Sequence, residues 1–312
     1  MALLAVVSAA GLALDDRVLV GAPIWAKPLK FSLSFVAYCL SLAWMLSLLP
    51  PRFRRAGWWA GTVVAAASAT EMVLITTQVV RGRRSHFNHE TPFDSGLYDA
   101  MAVTVVVLWT ASLVLAVLLF RGTLADRATA WAVRLGAVLA LAGAGLGFLM
   151  TRPAPGQRRG ASPTVGAHSV GVPDGGPGMP LTGWSTTGGD LRIPHFVGMH
   201  ALQLLPLLLL ALLALAPRFA PLRDERVRLR LVLVASAAYA AVLALLTWGA
   251  LRGEPLIRPG GATLTGAVLI TALTGAAAWV ALRRPGPTPP APPAPSLVSA
   301  PAQRPRDVRP VA

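Results

Sequence analysis

The chain has 312 residues, of which 54% are hydrophobic and only 13% charged, and its mean hydropathy is +0.60. That balance excludes an ordinary soluble domain and places the chain in the membrane class. The formal charge of +15 does not point to nucleic acid: Lys27 and Lys30 are the only lysines, the arginines are scattered through connections, and no aromatic and basic interleaving accompanies them.

The first apolar stretch, MALLAVVSAAGLAL, stops at Asp15 and Asp16. It is short for a full crossing and lacks the basic start of a signal peptide, so it is read as a short or tilted helix. Runs of about 20 apolar residues, enough to cross roughly 30 Å of hydrocarbon, then lie at 28–49, 57–80, 100–120, 128–150, 195–216, 231–251 and 262–282. The expectation is an all-α, polytopic transmembrane bundle of 7–8 helices over residues 1–284. Its single cysteine, Cys39, excludes an internal disulfide and a covalent haem attachment, so any cofactor must be held another way.

In WAKPLKFSLSFVAY, helical spacing puts Lys30, Ser34, Tyr38 and Ser41 on one face. Lys30 either stands opposite an intramembrane acid or snorkels with Lys27 to headgroups. That acid is Glu71, in ATEMVLITTQVVRGRRSHFNHETPFD, two thirds of the way along its helix. A charge there costs on the order of 2.5–3.5 kcal/mol on insertion scales and normally faces a bundle interior with a partner. Glu71 and Gln78 share a stripe that His89 rejoins, with His86 close by, if the helix continues past Gly82.

Residues 151–193 form a Gly-, Pro-, Ser- and Thr-rich loop much longer than a usual connection. Its His168, Asp174, Trp184 and Asp190 suggest an ordered cap over the outer face, and no EF-hand spacing is present. In PHFVGMHALQ, which opens the next helix, His195 and His200 are five apart, which is not the tight His-x-x-x-His pair of metalloenzymes. Gln203 lies on the same side. The last 28 residues, 285–312, are proline-rich and are read as a disordered, partly polyproline tail.

Counting crossings puts all five histidines, His86, His89, His168, His195 and His200, at one membrane face. Compact basic connectors such as RFRR and PRFAPLRDERVRLR favour the opposite face as cytoplasmic. The histidines are therefore expected outside and the tail inside.

Imidazoles and carboxylates gathered on one face are what a metal or proton-handling site requires. In the hydrolytic reading the five histidines supply ligands for zinc or another divalent metal, with an open position for water. Glu71, Asp94 or Asp190 then acts as general base, and Gln78, Gln203 and Lys30 are the polar groups placed to contact a cofactor. A redox reading puts haem b between histidines. A second class is a proton-coupled transporter or sensor using Glu71, though no inverted repeats are visible. A third is a structural or assembly factor that docks through its tail. The partners expected are the lipid bilayer and a lipid-like or small-molecule substrate, with no nucleic acid.

The strings RGRRSHFNHETPFD and GDLRIPHFVGMHALQLLPL resemble those of a family of bacterial multi-pass membrane proteins of uncharacterised activity, over about residues 15–216. The resemblance implies a bacterial cytoplasmic membrane and carries no chemistry. A looser likeness is to alkaline-ceramidase-type membrane hydrolases, which hold zinc on three histidines near Ser and Asp; their His-x-x-x-His element is missing here.

Overall fold

The computed structural model describes residues 1–124 and 126–283, so the expectation for the tail at 285–312 lies outside the described residues. Among the described residues the chain forms eight α-helices. These are α1 (Ala2–Leu14), α2 (Ala26–Ser47), α3 (Arg54–Val80), α4 (Pro92–Arg121), α5 (Arg127–Leu146), α6 (Arg192–Leu215), α7 (Glu225–Leu251) and α8 (Gly261–Arg283). Four two-residue strands, β1 (Val18–Leu19), β2 (Ala22–Pro23), β3 (Ser169–Val170) and β4 (Gly189–Asp190), pair as two small antiparallel ladders. The helices from α2 to α8 are long and apolar enough to cross a membrane, and α1 is not.

Side-chain caps extend two helices beyond the apolar runs that announce them. α4 begins at Pro92, well before residue 100, because Thr91 accepts the Asp94 amide at 3.1 Å and proline suits a first helical turn. α7 begins at Glu225, where Asp224 accepts the Arg226 amide at 2.8 Å. By contrast α3 stops at Val80, and Gly82 takes a left-handed conformation at φ 69°. The continuous helical stripe from Glu71 to His89 therefore does not form, since Gly82 reverses the chain.

The bundle core lies between α2, α3, α4, α5 and α6, around Leu42, Met45, Val64, Leu115, Leu119, Val133 and Leu202. Large apolar side chains elsewhere face outward, among them Leu40, Val73, Val103, Leu207 and Leu273, as expected of helices solvated by lipid. Glycines set the closest approach: a Cβ on Gly143 of α5 or on Gly198 of α6 would collide with the backbone of the other helix. Trp109 of α4 anchors to α5 by donating to the Leu141 carbonyl at 3.0 Å.

Because successive spans alternate in direction, segments 15–25, 81–91, 152–191 and 252–260 share one end of the bundle. There they knit together. Asn88 bridges to Thr164, the His89 amide donates to the Pro163 carbonyl at 2.8 Å, and β3 pairs with β4. The long loop is thus an ordered cap, packed so closely that a Cβ at Gly189 would strike the Ala250 carbonyl on α7.

A lysine, a histidine and a buried glutamate at the mouth of the bundle

Glu71 is 2% exposed and nine residues inside the end of α3, about 14 Å at the helical rise. Thr104 of α4 donates to its Oε2 at 3.2 Å, while Oε1 has no hydrogen-bond partner. His86 Nε2 lies 3.8 Å from Oε1, ion-pair range but too long for a hydrogen bond. His86 arrives there because the reversal after Gly82 folds residues 85–87 back into the bundle mouth. Phe87, 5% exposed and left-handed at φ 60°, secures the turn against Tyr98 and His168, with ring centroids 5.8 and 4.9 Å away. A bulky residue at positive φ is costly and persists only where packing dictates it.

On its other side His86 meets Lys27 from the first turn of α2, with Nζ 3.1 Å from Nδ1, and the Ser85 hydroxyl at 3.2 Å. An ammonium only donates, so Nδ1 accepts and the remaining proton sits on Nε2, facing Glu71. Burial, then the Lys27 charge and the neighbouring His168 and His195, holds the His86 imidazole well below its ordinary value. The ring is neutral at pH 7.

His168 is fixed by Asp174, whose Oδ2 lies 2.9 Å from Nδ1. Burial alone would raise Asp174, but the ring bond and the backbone amides of His168 and Ser169 outweigh it and hold the carboxyl well below the carboxylate range. Burial lowers His168 despite that partner. His195 Nδ1 lies 2.8 Å from the Gly143 carbonyl, so Nδ1 carries the hydrogen and Nε2 is left as an acceptor.

The other residues read from the sequence fall elsewhere. His89 bonds Ser95 at 3.2 Å and packs on Tyr98. His200 pairs with Gln203 at 3.2 Å and stacks on Phe196, centroids 4.2 Å apart. Among the described residues no group of three or more His, Cys, Asp or Glu is arranged to hold a metal ion. Asp94, fully buried, accepts from Gln78, Arg81 and Thr91, and so ties α3 to the start of α4. Gln78 accordingly serves that joint and not Glu71. Asp190, also fully buried, is clasped by Arg192 and the Ser185 amide. Both carboxylates are occupied by structural bonds, which leaves Glu71 as the acid with a free oxygen. Lys30 does not face Glu71; its ammonium donates to the Thr182 carbonyl at 3.0 Å. The lysine that reaches the site is Lys27, one helical turn earlier, which meets His86 and touches Glu71 only through it, and sequence reasoning missed it together with Ser85 and Thr104.

His86 and His168 make stability fall with acid. A histidine whose folded pKa is depressed leaves the unfolded chain binding more protons, so its contribution is intact above about pH 6.5 and is lost as pH drops from there toward the folded value. Unfolding midpoints followed by tryptophan fluorescence should fall below pH 6.5, with a slope approaching 1.4 kcal/mol per pH unit for each histidine. His86→Gln should flatten that slope; an unchanged slope would contradict the burial argument.

Fold and site together define a polytopic helical bundle with a lysine, a histidine and a glutamate in line at its mouth. Comparison with family models, curated proteins and solved structures gave no match to this chain.

Proposed function

We propose that the protein is a proton-coupled transporter or sensor of a bacterial cytoplasmic membrane, with Glu71 as its protonation switch and Lys27 and His86 as the relay that feeds it. The observation that carries this reading is the geometry at His86: Nδ1 3.1 Å from the Lys27 ammonium and Nε2 3.8 Å from the free oxygen of Glu71. In one relay step, once that gap closes to hydrogen-bond range, the Nε2–H bond of His86 breaks as an O–H bond forms on Glu71 Oε1. Nδ1 takes a proton from Lys27 Nζ. The imidazole remains neutral in its other tautomer, Lys27 becomes an amine, and one proton has moved inward. The starting state returns when the imidazole gives up its Nδ1 proton to water and takes one from water at Nε2, and Lys27 is recharged from the surface.

Three buried hydroxyls support the same reading. Ser8, Ser32 and Ser68, on α1, α2 and α3, have no hydrogen-bond partner within the protein, and Ser68 is one turn from Glu71. Buried groups of this kind are characteristically met by water, which conducts protons between fixed side chains. For orientation, the basic connectors Arg52–Arg55 and Arg218–Arg230 at the opposite end favour that end as cytoplasmic, which supports an exterior position for Lys27 and His86.

Reconstituted vesicles with an encapsulated pH dye test the proposal. An external acid step should move protons inward through the wild type, and Glu71→Gln should reduce the rate at least about tenfold, since the amide cannot bind a proton reversibly. Wild-type rates in Glu71→Gln would remove Glu71 from the path.

A further inference from the structure

The cap carries a second built feature that the relay does not use. Residues 178–185 form a tight hairpin: Gly178 bridges to Ser185, the Met179 amide donates to the Trp184 carbonyl at 2.7 Å and the Gly183 amide to the Met179 carbonyl at 2.9 Å. At its tip stands Leu181, 95% exposed and left-handed at φ 66°. A branched apolar residue held in that conformation, with nothing of this chain against it, is unfavourable in water on both counts.

Its anchor points tie it to two helix ends. The Thr182 carbonyl accepts from Lys30, in the second turn of α2. The next carbonyl, Gly183, accepts from Arg192 at 2.7 Å, and Arg192 opens α6. Trp184 packs edge-on against Phe196, one turn into α6 and itself 41% exposed. The hairpin is therefore held against the ends of two spanning helices by side chains of their first two turns. An apolar tip, an adjoining tryptophan and two cations are the residue types that settle at the boundary between acyl chains and headgroups.

We propose that this hairpin is a membrane-interface anchor: Leu181 inserts among the acyl chains while Lys30 and Arg192 lie level with the phosphates. The occupant of the exposed tip is lipid, because Lys30, Arg192 and Phe196, which hold the hairpin, all belong to the first turns of two helices long and apolar enough to cross a membrane. Anchoring would tie the cap to the bilayer and transmit changes in lipid packing to Asp190, which Arg192 joins to the cap.

Spin labels on Cys39→Ala protein in lipid nanodiscs holding one copy each test this, at Leu181→Cys and, as the aqueous reference on the same loop, at Arg159→Cys. The Leu181 label should collide more often with oxygen, which partitions into lipid, than with a water-soluble nickel chelate; the Arg159 label should show the reverse. Nickel access at Leu181 equal to that at Arg159, or shielding from both agents, would overturn the proposal. Leu181→Trp in the otherwise native chain gives an independent reading. Its added emission should be quenched by lipids brominated near the headgroup, and emission indifferent to them would overturn the proposal as well.

Discussion

Gly198→Val is expected to leave little folded protein. The α5–α6 crossing has no room for a Cβ at that position, because the added atom would fall onto Gly143 of the facing helix, and the reciprocal change at Gly143 meets Gly198 and the Met199 amide. Neither neighbour is a flexible side chain that could swing aside. The helices must separate, and overpacking of this kind costs about 3 kcal/mol or more when backbone is what blocks it. The matched control is Gly145→Ala, two residues along α5, whose nearest foreign atom is Trp109 Nε1 at 4.0 Å. That change makes an ordinary contact and should be neutral or stabilising by up to about 1 kcal/mol. Yield and unfolding midpoint in mild detergent distinguish the two, and a Gly198→Val protein as stable as Gly145→Ala would refute the packing described here. The same crossing sets the bond from His195 to the Gly143 carbonyl, so loss of the glycines also releases that histidine.

Removing one charge from the buried site should cost more than removing both. Lys27→Met removes the cation that reaches Glu71 through His86 and leaves His86 Nδ1 without that donor, a loss expected to cost on the order of 1–3 kcal/mol. Glu71→Gln alone leaves Lys27 stranded beside a neutral His86. In the double variant neither charge is present and the neutral imidazole remains. Unfolding free energies for the four proteins should show the double variant more stable than the sum of the single losses by about 1–3 kcal/mol, the range for groups that share one network. Strict additivity would mean that Lys27 and Glu71 do not act on one another through His86.

Much of this was legible in the chain. Seven apolar runs and their parity were enough to place every histidine at one end of the bundle, since that conclusion needs only alternation of direction. The capping pattern in Thr91-Pro-Phe-Asp94 also announced that Asp94 is a structural acid at a helix start, and Asp190 just before α6 suggested the same; both were instead taken as bases because their neighbours include histidines. The approach of His86 to Glu71 was anticipated by a route that does not exist. A helix continued through Gly82 would carry the stripe outward, whereas the left-handed glycine folds His86 inward to meet it.

Other features needed three dimensions. Lys27 and Lys30 differ by only about 60° around α2, and periodicity cannot say which one faces the core and which reaches the cap. The commitment of His86 Nδ1 to Lys27 and of His195 Nδ1 to the Gly143 carbonyl depends on contacts between distant segments, whereas His89, His168 and His200 find Ser95, Asp174 and Gln203 within six residues. Those commitments determine which ring nitrogen remains for chemistry, so a count of histidines on one face was no guide to whether they act together.

The central claim is that Glu71 takes and releases a proton through His86. Infrared difference spectra recorded across a pH step on protein in lipid test it most directly, because a protonated carboxyl has a C=O stretch that the carboxylate lacks. The account predicts a carboxylic-acid band that grows as pH falls, vanishes in Glu71→Gln, and persists with an altered titration in His86→Gln. A pH-dependent band that survives unchanged in Glu71→Gln, or the absence of any such band in the wild type, would contradict it.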